Sequence, residues 1–180
     1  MAGARPVDNP EDDARMTAGR EDRDWLATLI AVQEGRFAIP LLDDAGIRDL
    51  LRSNPRIAMV GASSNPGRPS HGVLVSLRRA GYDVVAVNPR ETEIEGLPCY
   101  RTVADAVAAT GPVDIVDVFR RPDLCVEHAR EAVAVGARCL WLQLGIANAE
   151  AARIAHEGGL AVVMDRCTII EHRRLAAGPA

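Results

Sequence analysis

The sequence predicts a doubly wound α/β fold, a single domain around a mainly parallel sheet of five to six strands. Three observations carry this. From Arg56 onward, short apolar runs rich in Val, Ile and Leu alternate with longer stretches of helical periodicity, the pattern of repeated βα units. Apolar residues make up 48% of the chain and aromatics only 3%, which suits aliphatic strands buried on both faces beneath Ala-rich helices. The length of 180 residues is enough for one well-formed core and too little for two of ordinary size.

Residues 1–22 combine Asp, Glu, Arg, Gly and Pro with hardly any apolar content and are expected to form a mobile N-terminal arm. Residues 23–53 are expected to hold two leading helices, over 24–37 and 41–53. There Trp25, Leu26, Leu29 and Ile30, then Leu42, Ile47, Leu50 and Leu51, recur at helical spacing. Asp43 and Asp44 sit where acids favour a helix start. The domain proper is expected over 54–176, with strands at 57–60, 83–87, 113–118, 138–142 and 160–164 and a short one near Pro98 to Tyr100. Helices are predicted at 70–80, 102–109, 123–135, 148–157 and about 168–175. Right-handed crossovers through such helices bring the carboxyl ends of the strands to one rim, and a ligand crevice is expected there, at the switch point.

Composition narrows the function. The net charge is −4, and the first 24 residues, with seven acids and four arginines, supply most of it. The remainder is nearly neutral, so neither nucleic acid nor membrane is an expected partner. Scarce aromatics also exclude a stacking platform for single-stranded nucleic acid. Lysine is absent, which removes a Walker-type phosphate lysine, Schiff-base chemistry and PLP attachment. Cys99, Cys125, Cys139 and Cys167 lack the paired spacing of a zinc site or a CxxC redox pair, so no metal is expected. With no apolar export segment or bilayer-length run in the sequence, the expected compartment is the reducing cytoplasm.

The stretch from Arg56 to Arg90 carries most of the functional information. Its first strand breaks at Gly61 and runs through Ala62, Ser63, Ser64, Asn65, Pro66, Gly67, Arg68 and Pro69 to Ser70, the expected N-cap of the next helix. A strand that breaks at glycine and reopens as a helix leaves unpaired N–H groups and the positive end of a helix dipole at one spot, which favours phosphate. The spacing is neither GxGxxG nor that of a P-loop. Amides from Ala62 to Ser64, the Ser70 hydroxyl and the Arg68 guanidinium are expected to converge on a pyrophosphate. The second strand ends in Asn88, Pro89 and Arg90, where an NAD-binding domain would place an acid for the ribose hydroxyls. A guanidinium suits a phosphorylated ribose instead, that of NADP or of the 3′-phospho-ADP half of coenzyme A.

Other strand ends reach the same rim. Val118, Phe119 and Arg120 close the third long strand; Phe119 can pack an adenine or a pantetheine arm, or serve as plain core. One of Arg120 and Arg121 is expected to face an anion, since a guanidinium is otherwise poorly placed near a positive helix start. Gln143 can donate to a ligand amide, and Asp165 and Arg166 can pair with each other. Cys167, opening a helix beside Arg166, is a candidate redox thiol, although Cys125 occupies a comparable first turn; Cys99 and Cys139 read as strand hydrophobes. His71 begins a helix near the phosphate loop and can donate to the ligand, whereas His128, His156 and His172 read as solvated. With no Ser–His–acid set and no paired carboxylates on the rim, no catalytic residues are assigned.

The runs VGASSNPGRPSHGV, GYDVVAVNPR, VDIVDVF, WLQLGI and VVMDRC, in that order over about residues 50–175, resemble the stand-alone CoA-binding proteins, small relatives of the CoA-binding domain of the succinyl-CoA synthetase alpha subunit. The resemblance implies a Rossmann-like, nucleotide-binding fold with coenzyme A, free or as an acyl-CoA thioester, as the ligand. By position it implies phosphates at Gly61 to Ser64, Arg68 and Ser70, the phosphorylated ribose near Asn88 to Arg90, and pantetheine alongside Val118, Phe119 and Arg120. The synthetase's following domain with its phosphohistidine, and its nucleotide-grasping partner, have no counterpart in this sequence, so binding without turnover is expected. Two other readings stay open: an NADP-dependent oxidoreductase, and a redox module in which Cys167 forms a mixed disulfide with CoA.

Overall fold

The computed structural model describes residues 24–176, so the arm expected over 1–22 lies outside the described residues. Seven strands form one sheet: β1 (Ile57–Val60), β2 (Val84–Val87), β3 (Glu93–Ile94), β4 (Leu97–Tyr100), β5 (Ile115–Val118), β6 (Cys139–Leu142) and β7 (Ala161–Val163), in the order β3-β4-β2-β1-β5-β6-β7. All neighbours are parallel except β3, which runs antiparallel to β4. The six parallel strands thus stand in the order third, second, first, fourth, fifth, sixth, and the winding reverses between β1 and β5.

The count exceeds the five to six expected because of β3. Two residues are too few for a periodic signal, and the turn to β4 rests on Glu95 and Gly96, both at positive φ (52° and 75°), as a two-residue hairpin of the primed type requires.

Alternation along the strands sorts the core into two faces. Ala58, Val60, Val116, Val118, Leu140 and Leu142 face the cluster closed by α4 (Val103–Thr110), α5 (Cys125–Ala134) and α6 (Ala149–Glu157). Ile57, Met59, Ile115, Cys139 and Trp141 face the cluster closed by α2 (Asp44–Arg52), α3 (Pro69–Arg79) and α7 (Thr168–Glu171). The first helix, α1, over 24–33, lays Trp25, Leu29 and Val32 on the first face. Among the described residues no helix is long and apolar enough to cross a membrane.

Several helix ends differ from expectation for local reasons. α1 stops short of 37 at Gly35 (φ 67°), and α2 begins later than 41 because the Asp43 carboxylate caps it, accepting from Gly46 N. The helix expected to begin at Ser70 begins at Pro69, whose fixed φ and missing N–H suit a first helical position; Arg68 is the N-cap and Ser70 lies buried in the first turn. The stretch expected as one helix over 123–135 opens with a 3-10 turn, Pro122–Leu124. The last helix is a single turn followed by a wider coil, His172–Ala176.

That coil is locked to α2. The Asp44 carboxylate takes Arg166 at 2.8 Å and Arg174 at 2.7 Å, and Glu171 takes Arg174 at 2.6 Å. The Arg174 hydrogen bonds, helped by Arg166, hold the Asp44 carboxyl well below its usual range. Arg166 therefore does not pair with Asp165. Asp165 accepts instead from Gln33 Nε2 and from the Gly145 amide.

Candidate functional site

A cleft of about 550 Å³ opens at the carboxyl ends of β1 and β5, where the winding reverses. Gly61 and Phe119, just past the ends of β1 and β5, line it. Ser63, Arg68, Pro69, Ser70 and Val73 line it from the first loop and α3, Asn88 and Arg90 from the end of β2. Arg120, Gln143, Leu144, Ile146, Cys167 and Ile170 complete it.

Gly61 is required by close approach. Its φ is 84°, and a Cβ there would stand 3.0 Å from the Phe119 carbonyl oxygen and 3.1 Å from Arg120 Cδ. Gly61→Ala is expected to cost about 1–3 kcal/mol of folding stability, read by urea denaturation. Gly72→Ala, inside α3 with nothing within 4 Å of the new carbon, should be neutral or stabilise by up to about 1 kcal/mol. Equal losses in the two variants would contradict this account of Gly61.

The first loop is wired by side chains that sequence reasoning directed at the ligand. His71 Nδ1 donates to the Ser63 carbonyl at 3.1 Å, so that nitrogen holds the loop. Asn88 Nδ2 donates to the Ala62 carbonyl at 2.8 Å while its Oδ1 accepts from Arg90 N at 3.0 Å; Asn88 lines the cleft and braces both of its turns. The Ser64 amide, expected to face a pyrophosphate, donates to the Glu91 carboxylate at 3.0 Å and is taken. The amides of Ala62 and Ser63 have no hydrogen-bond partner among the described residues.

Side chains of Ala62 and Val118 are fully buried in the core beneath the cleft, because each faces inward on its strand or turn. Pro89 borders a neighbouring depression with Arg101, Thr102 and His128 rather than the cleft itself. Of the adjacent arginines, Arg121 pairs with Asp123 at 2.7 Å in solvent, and Arg120 enters the cleft. Arg68, Arg90 and Arg120 converge on one cleft with no carboxylate partner among the described residues. The N-terminus of α3, which begins at Pro69, adds its positive dipole end.

The far end is different in character. Leu144 (62% exposed) and Ile170 (49% exposed) rim it with Ile146, a set of apolar residues that carried no chemical signal in the sequence. The Leu144 turn is pinned through Gly145: its amide donates to Asp165 Oδ1 at 2.7 Å and its carbonyl accepts from Trp25 Nε1 at 3.2 Å.

Gln143 lies almost wholly buried, and its Nε2 stands 2.7 and 3.0 Å from the two Asp117 carboxylate oxygens and 2.8 Å from Thr168 Oγ1. Its NH2 is committed inward, so it is not the donor expected for a ligand amide; the carboxamide oxygen is the end left over. Asp117 is fully buried, and burial pushes its carboxyl up to about 7 against the pull of the Gln143 and Thr168 hydrogen bonds. Sequence reasoning missed Asp117. The available signal was a lone acid inside the otherwise apolar strand IVDV.

Of the four cysteines only Cys167 lines the cleft. Burial pushes the Cys125 thiol up to about 12 and Cys139 higher, so Cys125 does not share the reactivity its first-turn position suggested.

A doubly wound sheet in this order, with its crevice at the switch point, defines a Rossmann-like α/β domain. Within that class, a family model described as "CoA binding domain" matches residues 55–173, and the chain belongs to that family. It is similar to the uncharacterized protein YneT of Bacillus subtilis (strain 168), 38% identical over 128 residues that cover 71% of this chain and 93% of that protein. Among solved structures it is similar to a hypothetical protein from Pyrococcus horikoshii OT3, with 40% identity and TM-score 0.71 over 74% of this chain and 92% of that one. Cell-free ID.343 from Thermus thermophilus gives 39% identity and TM-score 0.69 over 74% of this chain and 98% of that one.

Proposed function

We propose that this protein binds coenzyme A or an acyl thioester of it in the switch-point cleft, without turnover of its own. The observation that carries the reading is the convergence of Arg68, Arg90 and Arg120, free of carboxylate partners among the described residues, on a cleft whose other end is apolar. Coenzyme A is charged at one end and thiol-terminated at the other, and the cleft has the same polarity. In this reading the diphosphate takes Arg68, the free amides of Ala62 and Ser63 and the start of α3. Arg90 takes the sugar phosphate, and Phe119 and Arg120 flank the pantetheine. Leu144, Ile146 and Ile170 then meet the sulfur end and any acyl group. Family membership over residues 55–173 supports the same ligand.

Calorimetry tests it. Arg90→Ala should weaken CoA binding about 10- to 100-fold, the equivalent of one charge-assisted contact, and leave dephospho-CoA nearly unaffected. Equal binding of CoA and dephospho-CoA by the wild type removes Arg90 from the site. Tight NADPH binding with none for CoA overturns the whole reading in favour of an oxidoreductase.

One observation favours a second reading: the sole cysteine on the cleft, Cys167, stands at the end assigned to the thiol. Attack of its thiolate on CoA disulfide would give a protein–CoA mixed disulfide and release one CoA thiolate. Intact mass spectrometry after incubation with CoA disulfide reads the adduct, with Cys167→Ser as control, and no adduct on the wild type ends this second reading.

A further inference from the structure

We infer that Asp117 is a positioning residue that fixes the polarity of Gln143: by holding the NH2 inward it leaves the carboxamide oxygen to the cleft, so the site selects a ligand with an N–H donor at that point. The identity of that donor, an amide of pantetheine, rests on the coenzyme A reading above; the wiring does not.

Hydrogen counting supports it. The Gln143 NH2 has two hydrogens, one for the Asp117 carboxylate at 2.7 and 3.0 Å and one for Thr168 Oγ1 at 2.8 Å. The Thr168 hydroxyl gives its hydrogen to Asp117 Oδ2 at 3.1 Å. Of the ring's three hydrogens two meet the acceptor-only carboxylate and the third meets Thr168 Oγ1, and the ring closes with Gln143 in one orientation. A proton added to Asp117 leaves one hydrogen too many. The Gln143 oxygen can accept it if the amide turns over, and the NH2 then faces the cleft. Asp117 thereby makes the site's donor and acceptor pattern depend on its own protonation.

The surroundings leave this carboxyl to titrate against neutral neighbours. Its register partners on β1 and β6 are Met59 and Trp141. On β6, the Cys139 thiol is pushed above its ordinary range by burial and by the Asp117 charge and stays neutral. Around α7, Thr168 makes the contact, Cys167 faces the cleft, and Glu171 and Arg166 are paired with each other and with Arg174 and Asp44.

Two measurements decide it. In ligand-free protein, the side-chain 15N–1H signals of Gln143, identified by their loss in Gln143→Met, should titrate with a midpoint near 7 and cease to do so in Asp117→Asn. In parallel, CoA affinity is compared between wild type and Asp117→Asn from pH 5.5 to 8.5. Titration of the CoA phosphates is common to both proteins, and the affinity ratio should change about tenfold across that range, the worth of one hydrogen bond. Signals that do not titrate in the wild type, or a constant ratio, overturn the inference. Titrating signals in a protein that binds no CoA uphold the wiring and sink the ligand assignment instead.

Discussion

The stability of Asp117→Asn relative to wild type is expected to rise by about 4 kcal/mol between pH 4 and pH 8. Burial raises the Asp117 carboxyl from 3.8 to about 7, whereas in the unfolded chain it ionises near its ordinary value. Between those limits the folded protein keeps a proton that the unfolded chain has released, so rising pH disfavours folding. The stability present below about pH 4 is lost as pH rises through about 7, then levels off; roughly three units at 1.36 kcal/mol each give the magnitude. Asparagine keeps the shape but carries no charge; its one oxygen replaces one acceptor and its NH2 meets the other donor, a mismatch that does not vary with pH, so its stability curve is lower by a constant and lacks this decline. Urea denaturation of both proteins from pH 4.5 to 8.5 checks it, and parallel curves would falsify the assignment. Asp44, whose carboxyl is held low by Arg174 and Arg166, acts at the acid end and is common to both.

A fully buried acid that weakens the fold at neutral pH, wired to a cleft-lining amide, fits the rule that local inconsistencies gather at functional sites. It also marks the boundary of what the sequence makes legible. Gly61, Asn88, Phe119, Arg120 and Gln143 fall at or just beyond the ends of apolar runs, and the right-handed crossover brings such ends to one rim whatever the details. The direction of each side chain is another matter. Gln143 turns inward because of an acid 26 residues earlier, and Ser64 gives its amide to Glu91, 27 residues later. Neither pairing leaves a trace in local periodicity. β3 escaped for a different reason: two residues carry no period, and only the Glu95–Gly96 pair announced its hairpin.

Trp141→Ala is expected to cost about 3–5 kcal/mol, the range for deleting a large buried aromatic, against a total stability of about 5–15 kcal/mol for an ordinary domain. Trp141 is fully buried on β6, the strand next to the β7 edge, between Asp117 on β5 and Val163 on β7. Its Nε1 donates to the Arg166 carbonyl at 2.6 Å, so it also anchors the segment that carries Cys167 into the cleft. Trp141→Phe separates the two roles: much of the ring volume stays, the donor goes, and an unpaired carbonyl costs about 1–3 kcal/mol. Urea midpoints should therefore fall in the order wild type, Phe, Ala. The Phe variant should in addition show faster reaction of Cys167 with a disulfide reagent under native conditions, because the wall behind the thiol has lost its anchor. An unchanged Cys167 rate alongside a lowered midpoint would leave Trp141 a packing residue and remove it from the support of the cleft.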